Sequence, residues 1–247
     1  MRKFFLSIAV LVAYTAGAFA QTAAAPKTYQ MVQIMMIKPK QGQEKAFEDA
    51  VKAHDAKFHS GAYAAQLWAV TYGKGSDGWY VWRMGPLMYT DMDKQPQGNK
   101  DHDDDWSKTV DPHVQEYGET NFWKLQDDLS YTPANYNPQN LDVWIIDIKP
   151  GMRYQFADLM KKWKAMWEAK KYPYAMRVSY NDMFSGDGGA DAGIVFSFNH
   201  FAEFDDPNND WRKDYEEMNG PGSWDNFWKA WNACVNSTSE QIRALVK

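Results

Sequence analysis

Five histidines, a pair of arginines and one aspartate are where this chain could do chemistry. His54 stands in an apolar stripe with helical spacing, so it either packs in a core or points from a helix into a pocket. His200 closes a strand-like run, where an edge residue can overlook a cavity mouth. Imidazole titrates near neutrality, which makes these two the candidate proton carriers. Arg83 and Arg177 could fix an oxyanion through paired hydrogen bonds, with Asp147, Gln66, Trp68, Ser197 and Asn199 completing a small-molecule site. The competing reading is an Arg–Asp pair that satisfies itself between packed sheets. His59, His102 and His113 lie in polar surroundings and are expected at the surface.

No metal site is predicted. The run DHDDD, Asp101 to Asp105, and its acidic counterpart Asp205 to Asp210 lack the spacing, glycine and closing glutamate of a calcium loop. Both read as aspartate-rich, solvated helix starts. There is no GxSxG, CxxC, HExxH or P-loop, and the Gly-rich stretch Gly186 to Gly193 falls in a turn between strands, not at the opening of a helix.

The elements that must position these residues follow from an internal beat. NFWK occurs at Asn121–Lys124 and again at Asn226–Lys229, an offset of 105. IKP at Ile37–Pro39 returns at Ile148–Pro150, each time after an apolar run that reads as a buried strand. Phe47, Val51, His54 and Phe58 have the spacing of an amphipathic helix, and Phe156, Met160, Trp163 and Trp167 repeat it at an offset of 109. Two alternating aromatic-rich segments joined by a Gly-containing turn then read as a hairpin in each copy, Tyr63 onward with Tyr80 onward, and Tyr174 onward with Ile194 onward. Asp105-Trp106 and Asp210-Trp211 follow, placed to cap helices. The drop in offset from 114 at Tyr80/Ile194 to 105 puts nine extra residues in the first copy, as a surface loop between Lys94 and Asp103.

The pattern is a duplicated β-α-β-β-α unit. Residues 1–20 form a leader, 21–130 the first repeat, 131–140 a Pro- and Asn-rich connector and 141–247 the second repeat. After the second NFWK the chain continues either as helix to its end or into a short final element. Such a unit resembles the ferredoxin-like fold, and in particular the dimeric α+β barrel superfamily, with both halves in one chain. That resemblance implies an α+β protein whose two antiparallel sheets pack face to face as a barrel. In a barrel, alternation sorts side chains by face. Tyr80, Trp82, Met84, Ile194, Phe196 and Phe198 are predicted on the helix side with Leu67 and Val178. Val81, Arg83, Gln66, Trp68, Met36, Asp147, Arg177, Ser179, Val195, Ser197 and Asn199 are predicted on the lumen side.

The same resemblance implies two functions: a cofactor-independent oxygenase-like enzyme acting on an aromatic substrate inside the barrel, or a haem protein of the chlorite dismutase-like type with His200 as axial ligand; the third reading is a non-catalytic periplasmic binding or structural protein whose exposed Trp and Tyr contact a ligand or another protein. No cofactor is expected on the first and third readings.

The first twenty residues have a basic start at Arg2 and Lys3, an apolar run from Phe4 to Val12 and Ala18 and Ala20 before Gln21. That is the layout of a secretory signal peptide, and its apolar run is too short to span a bilayer. The expected product is periplasmic or secreted, with no membrane association after cleavage. Without Arg2 and Lys3 the chain has 25 basic and 32 acidic residues, a net charge of −7, which disfavours nucleic acid as a partner. The lone Cys234 permits no intrachain disulfide, so the fold rests on its core. Because one chain carries both sheets, a monomer or a homodimer is expected.

Overall fold

The computed structural model describes residues 28–183, 189–207 and 209–247. The expected leader and most of the 186–189 turn lie outside the described residues. The first repeat runs β1 (Met31–Pro39), α1 (Glu44–Phe58), β2 (Ala65–Gly73), β3 (Tyr80–Leu87), α2 (Tyr89–Met92), α3 (Lys100–Thr109) and β4 (Val114–Leu125). The second runs β5 (Asn140–Ile148), α4 (Arg153–Lys170), β6 (Met176–Asn181), β7 (Ala192–Phe198), α5 (Trp211–Asn219), α6 (Ser223–Cys234) and β8 (Val235–Leu245).

Eight antiparallel strands close into a barrel in the order β1-β3-β2-β8-β5-β7-β6-β4. Each half is a four-stranded ferredoxin-like sheet, β4-β1-β3-β2 and β8-β5-β7-β6, and the halves join where β2 meets β8 and β4 meets β6. Strands buried on both faces must be apolar on both. On β3, accordingly, Tyr80, Trp82 and Met84 pack outward against Phe47 and Val51 of α1, while Val81 packs inward with Trp68, Leu141 and Val143. In the second half Val178, Ile194 and Phe196 pack outward against the α4 stripe of Phe156, Met160, Trp163 and Trp167.

Four expectations are corrected. Each repeat is β-α-β-β-α-β: β4 ends the first where helix was expected, and β8 follows α6 where helix or a short element was expected. The NFWK echo is accidental: Asn121–Lys124 lies in β4, whereas Asn226–Lys229 lies in α6. Pairing shows the real counterpart. Ile34 on β1 stands opposite Asn121, and Ile145, its equivalent on β5, stands opposite Ser239, an offset of 118. The extra length therefore belongs to the second copy, and the segment taken for an inserted loop contains the start of α3. Finally, Asp210 does cap α5 by accepting the Lys213 N–H, but Asp105 sits inside α3, whose cap is Asn99 accepting the Asp101 N–H.

The β5–β8 seam buries an acid. Asp142, only 6 % exposed, faces outward beside Glu240, and burial first, then the Glu240 charge, push its carboxyl up to about 7. An unfolded chain releases that proton near pH 4, the folded one near pH 7, so this group's contribution to stability falls as pH rises between the two. Asp142→Asn should therefore gain stability relative to wild type between about pH 4.5 and about pH 7.5 in urea unfolding, and a constant difference would show that Asp142 is already ionised in the fold.

Candidate functional site

The barrel is not solid. A cavity of about 830 Å³ lies inside it, within the range of small-molecule sites. Its apolar wall comes from inward residues such as Ile34, Met36, Trp79, Trp123, Val143 and Val195. Trp68, 4 % exposed, packs with Val70, Val81, Leu141 and Val143 and fills another part of the interior. Two glycines make room for the rings: a Cβ on Gly118 would come within 2.9 Å of Trp79, and one on Gly193 within 3.3 Å of Trp123.

Arg83, Arg177 and Asp147 all line this cavity, with Ser179 beside them. The self-satisfied Arg–Asp pair is not formed. Asp147 accepts a long hydrogen bond from Asn236 at 3.4 Å, and among the described residues no ion pair engages either arginine. Arg83 donates to Gln66 Oε1 and to the Gly85 carbonyl, both at 3.4 Å, which is long for a guanidinium. Arg177 lies over the Tyr136 ring at 5.3 Å, and its buried Nε has no hydrogen-bond partner. Burial lowers the Arg83 pKa to about 10, and the positive charge of Arg177 adds to the effect. Two under-bonded guanidinium groups that repel each other thus leave unused donors in the chamber, the chemistry that would suit an anion.

Other predicted residues stand elsewhere. Gln66 serves the cavity only by holding Arg83. Ser197 Oγ accepts the Ala175 N–H at 2.9 Å and Asn199 Oδ1 accepts the Gln139 N–H at 3.0 Å, so both are structural. They border a second hollow of about 500 Å³ with Tyr174 and Asn209, and do not line the main cavity. His200 is exposed after β7, its N–H held by Glu203, and no histidine lines either cavity among the described residues. It is thus not placed to ligate a haem within the barrel or to move protons there.

His54 is fully buried, on the helix side of the first repeat and away from the lumen. His59 and His102, expected at the surface, are buried too, because α3 folds over the end of α1 and covers them; His113 is half-buried and meets Gln43. Burial lowers the His54 pKa and brings that of His59 to about 4. The expectation of no metal-ligating set is also corrected: these three rings present a nitrogen each, all within 4.8 Å of one another.

Several lumen residues were missed, among them Trp79, Trp123, Tyr136 and Arg243. Tyr136 comes from the connector between repeats, which composition marks only as a linker. Arg243 comes from β8, the strand not foreseen, and its Nε and Nη2 both donate to Gln241 Oε1 at 3.0 and 2.8 Å. Burial lowers its pKa to about 10.

No known protein family matches the sequence, and no curated protein does. Solved structures match in fold. A monooxygenase-like protein from Lactobacillus acidophilus is 10 % identical with a TM-score of 0.54, over 88 % of this chain and 94 % of that one. An anthrone oxidase-like protein is likewise 10 % identical, TM-score 0.54, over 88 % and 92 %. A chlorite dismutase variant from Candidatus Nitrospira defluvii is 9 % identical, TM-score 0.53, over 88 % and 91 %. These similarities show the fold alone: two ferredoxin-like halves forming a barrel, here closed within one chain.

The hydrogen bonds separate the arginines by role. Arg243→Ala should lower the free energy of unfolding by roughly 1–3 kcal/mol, because it strands the buried Gln241 carbonyl, and Arg83→Ala should cost less. Equal losses in urea unfolding would show that Arg83 is bound as tightly into the fold as Arg243.

Proposed function

We propose that the protein binds a small anionic, aromatic molecule in the barrel lumen. The observation that carries this reading is the pair Arg83 and Arg177, which line one cavity and, among the described residues, form no ion pair with a carboxylate. A carboxylate or phenolate would take their unused donors, and the indoles of Trp79 and Trp123 would flank its ring. The leader-like first twenty residues support placement of this protein in the periplasm or outside the cell. Among the described residues no helix is long and apolar enough to cross a membrane. Since the barrel closes on itself, one chain is sufficient for the site, whether or not two chains associate.

The fold of the monooxygenase-like and anthrone oxidase-like neighbours supports a further step, oxygenase-like turnover of the bound aromatic without a cofactor. Asp147, which lines the cavity along with Asp77 and Glu119, is the carboxylate we assign to take a proton in it. The haem alternative has the fold of the chlorite dismutase neighbours in its favour but would require a ligand other than His200. A Soret band in the protein as purified would select it.

Titration calorimetry of the mature protein with benzoate-class aromatic carboxylates tests the binding reading. Saturable one-to-one binding is expected, with Arg177→Ala weakening it by about 10- to 100-fold, the equivalent of a charge-assisted hydrogen-bond pair. Neutral analogues that bind as well as the acids, or an Arg177→Ala protein that binds unchanged, would contradict it.

A further inference from the structure

The first repeat buries three imidazoles where the second buries indoles. His54 on α1 corresponds to Trp163 on α4, and each meets a tryptophan from a later helix: His54 lies 4.9 Å from Trp106 and Trp163 lies 5.5 Å from Trp211, centroid to centroid. The second repeat shows that this position is satisfied by apolar rings. Burying polar groups there instead is costly unless they are bonded.

Half of each ring is bonded. His54 Nδ1 meets Asp105 Oδ2 at 2.9 Å, His102 Nδ1 meets Asp103 Oδ1 at 2.8 Å, and His59 Nδ1 meets the Tyr63 carbonyl at 3.2 Å. Carboxylate and carbonyl oxygens accept, so each Nδ1 carries the proton and each Nε2 is left with a bare lone pair. Two of the bare nitrogens face each other, and the third ring offers a nitrogen within 4.8 Å of both. His59 Nε2 and His102 Nε2 are 3.3 Å apart, and His54 Nε2 is buried with no partner at all. Facing lone pairs repel unless a cation sits between them. A shared proton would serve the His59–His102 pair but leave His54 unbonded, whereas a metal ion serves all three.

We propose that His54, His59 and His102 bind a divalent transition metal of the zinc class through their Nε2 atoms. Zinc–nitrogen bonds of about 2.0–2.1 Å place two tetrahedral ligands about 3.3 Å apart, the separation of the His59–His102 pair. Imidazole suits zinc and its neighbours, and oxygen acceptors on the outer nitrogens are the usual support of metal-bound histidines. Asp55, whose Oδ1 is 4.0 Å from His59 Nε2, stands ready as a fourth ligand. The three histidines are all 9 % exposed or less, and Phe58, Trp82 and Trp106 pack around them. A site so enclosed is structural: it would fasten α3 to the end of α1.

The test is titration of the chelator-stripped, full mature chain with zinc alone, followed by the visible spectrum of the cobalt-substituted protein. One equivalent of zinc, with cobalt bands of the intensity of a four-coordinate, nitrogen-rich site, is expected. His102→Gln should abolish saturable binding, and Asp105→Asn, which touches His54 and not the metal, should weaken it about 10- to 100-fold. A folded wild-type protein that takes up no zinc or cobalt would overturn the proposal without recourse to any variant. So would full binding in both His102→Gln and His59→Gln, which would place the metal elsewhere.

Discussion

Closure of the barrel by β8 is the constraint on which the rest depends. This strand pairs with β2 of the first repeat on one side and β5 of its own on the other, from Trp68↔Leu245 to Gly73↔Gln241 and from Asn140↔Ala244 to Ile148↔Val235. Without it the two sheets would have exposed edges and the lumen would be a groove. With it, the lumen becomes an enclosed chamber, and a guanidinium there with unused donors is available to an external acceptor. Arg243, on the same strand, shows the contrast, since its donors are already taken by Gln241.

The duplication gives two copies of one scaffold that have diverged in what they bury outside the barrel. Behind the second sheet the space is packed with aromatic rings, among them Trp144, Trp163, Trp167, Trp211 and Trp231. Behind the first it holds His54, His59 and His102 with Trp82 and Trp106. Such buried polarity is stable only when fully bonded. The lumen and the histidine cluster are thus separate in space and chemistry: one carries Arg83 and Arg177 inside the barrel, the other three imidazoles under α1 and α3.

How far this was legible in the sequence depended on period. Alternation along a strand has a period of two, so face assignments survive any even error in alignment. Arg83 was matched four residues away from the residue its pairing indicates: Ile34 stands opposite Arg83, and Ile145 opposite Gly193, an offset of 110 where the letters suggested 114. Four is even, and Arg83, Arg177, Met36 and Asp147 still face inward. Helical stripes were equally clear, since Phe47 and Val51 repeat as Phe156 and Met160. Identity of letters without period was misleading: NFWK forms strand in β4 and helix in α6 because its neighbours, not its four residues, decide. Ser197 and Asn199 had the right parity but lie at the end of β7, where the backbone of Ala175 and Gln139 claims them. The histidine cluster was invisible because its members come from α1, the turn after it and α3, and only the tertiary fold brings them together.

The most direct test of the central claim, that the lumen holds an anion between Arg83 and Arg177, is a crystal structure grown with 4-iodobenzoate, whose iodine can be located by anomalous scattering. The account predicts the iodine inside the barrel near Trp79 or Trp123, with the carboxylate on the two guanidinium groups. Iodine found only on the outer surface, with the lumen closed by rearranged side chains, would contradict it.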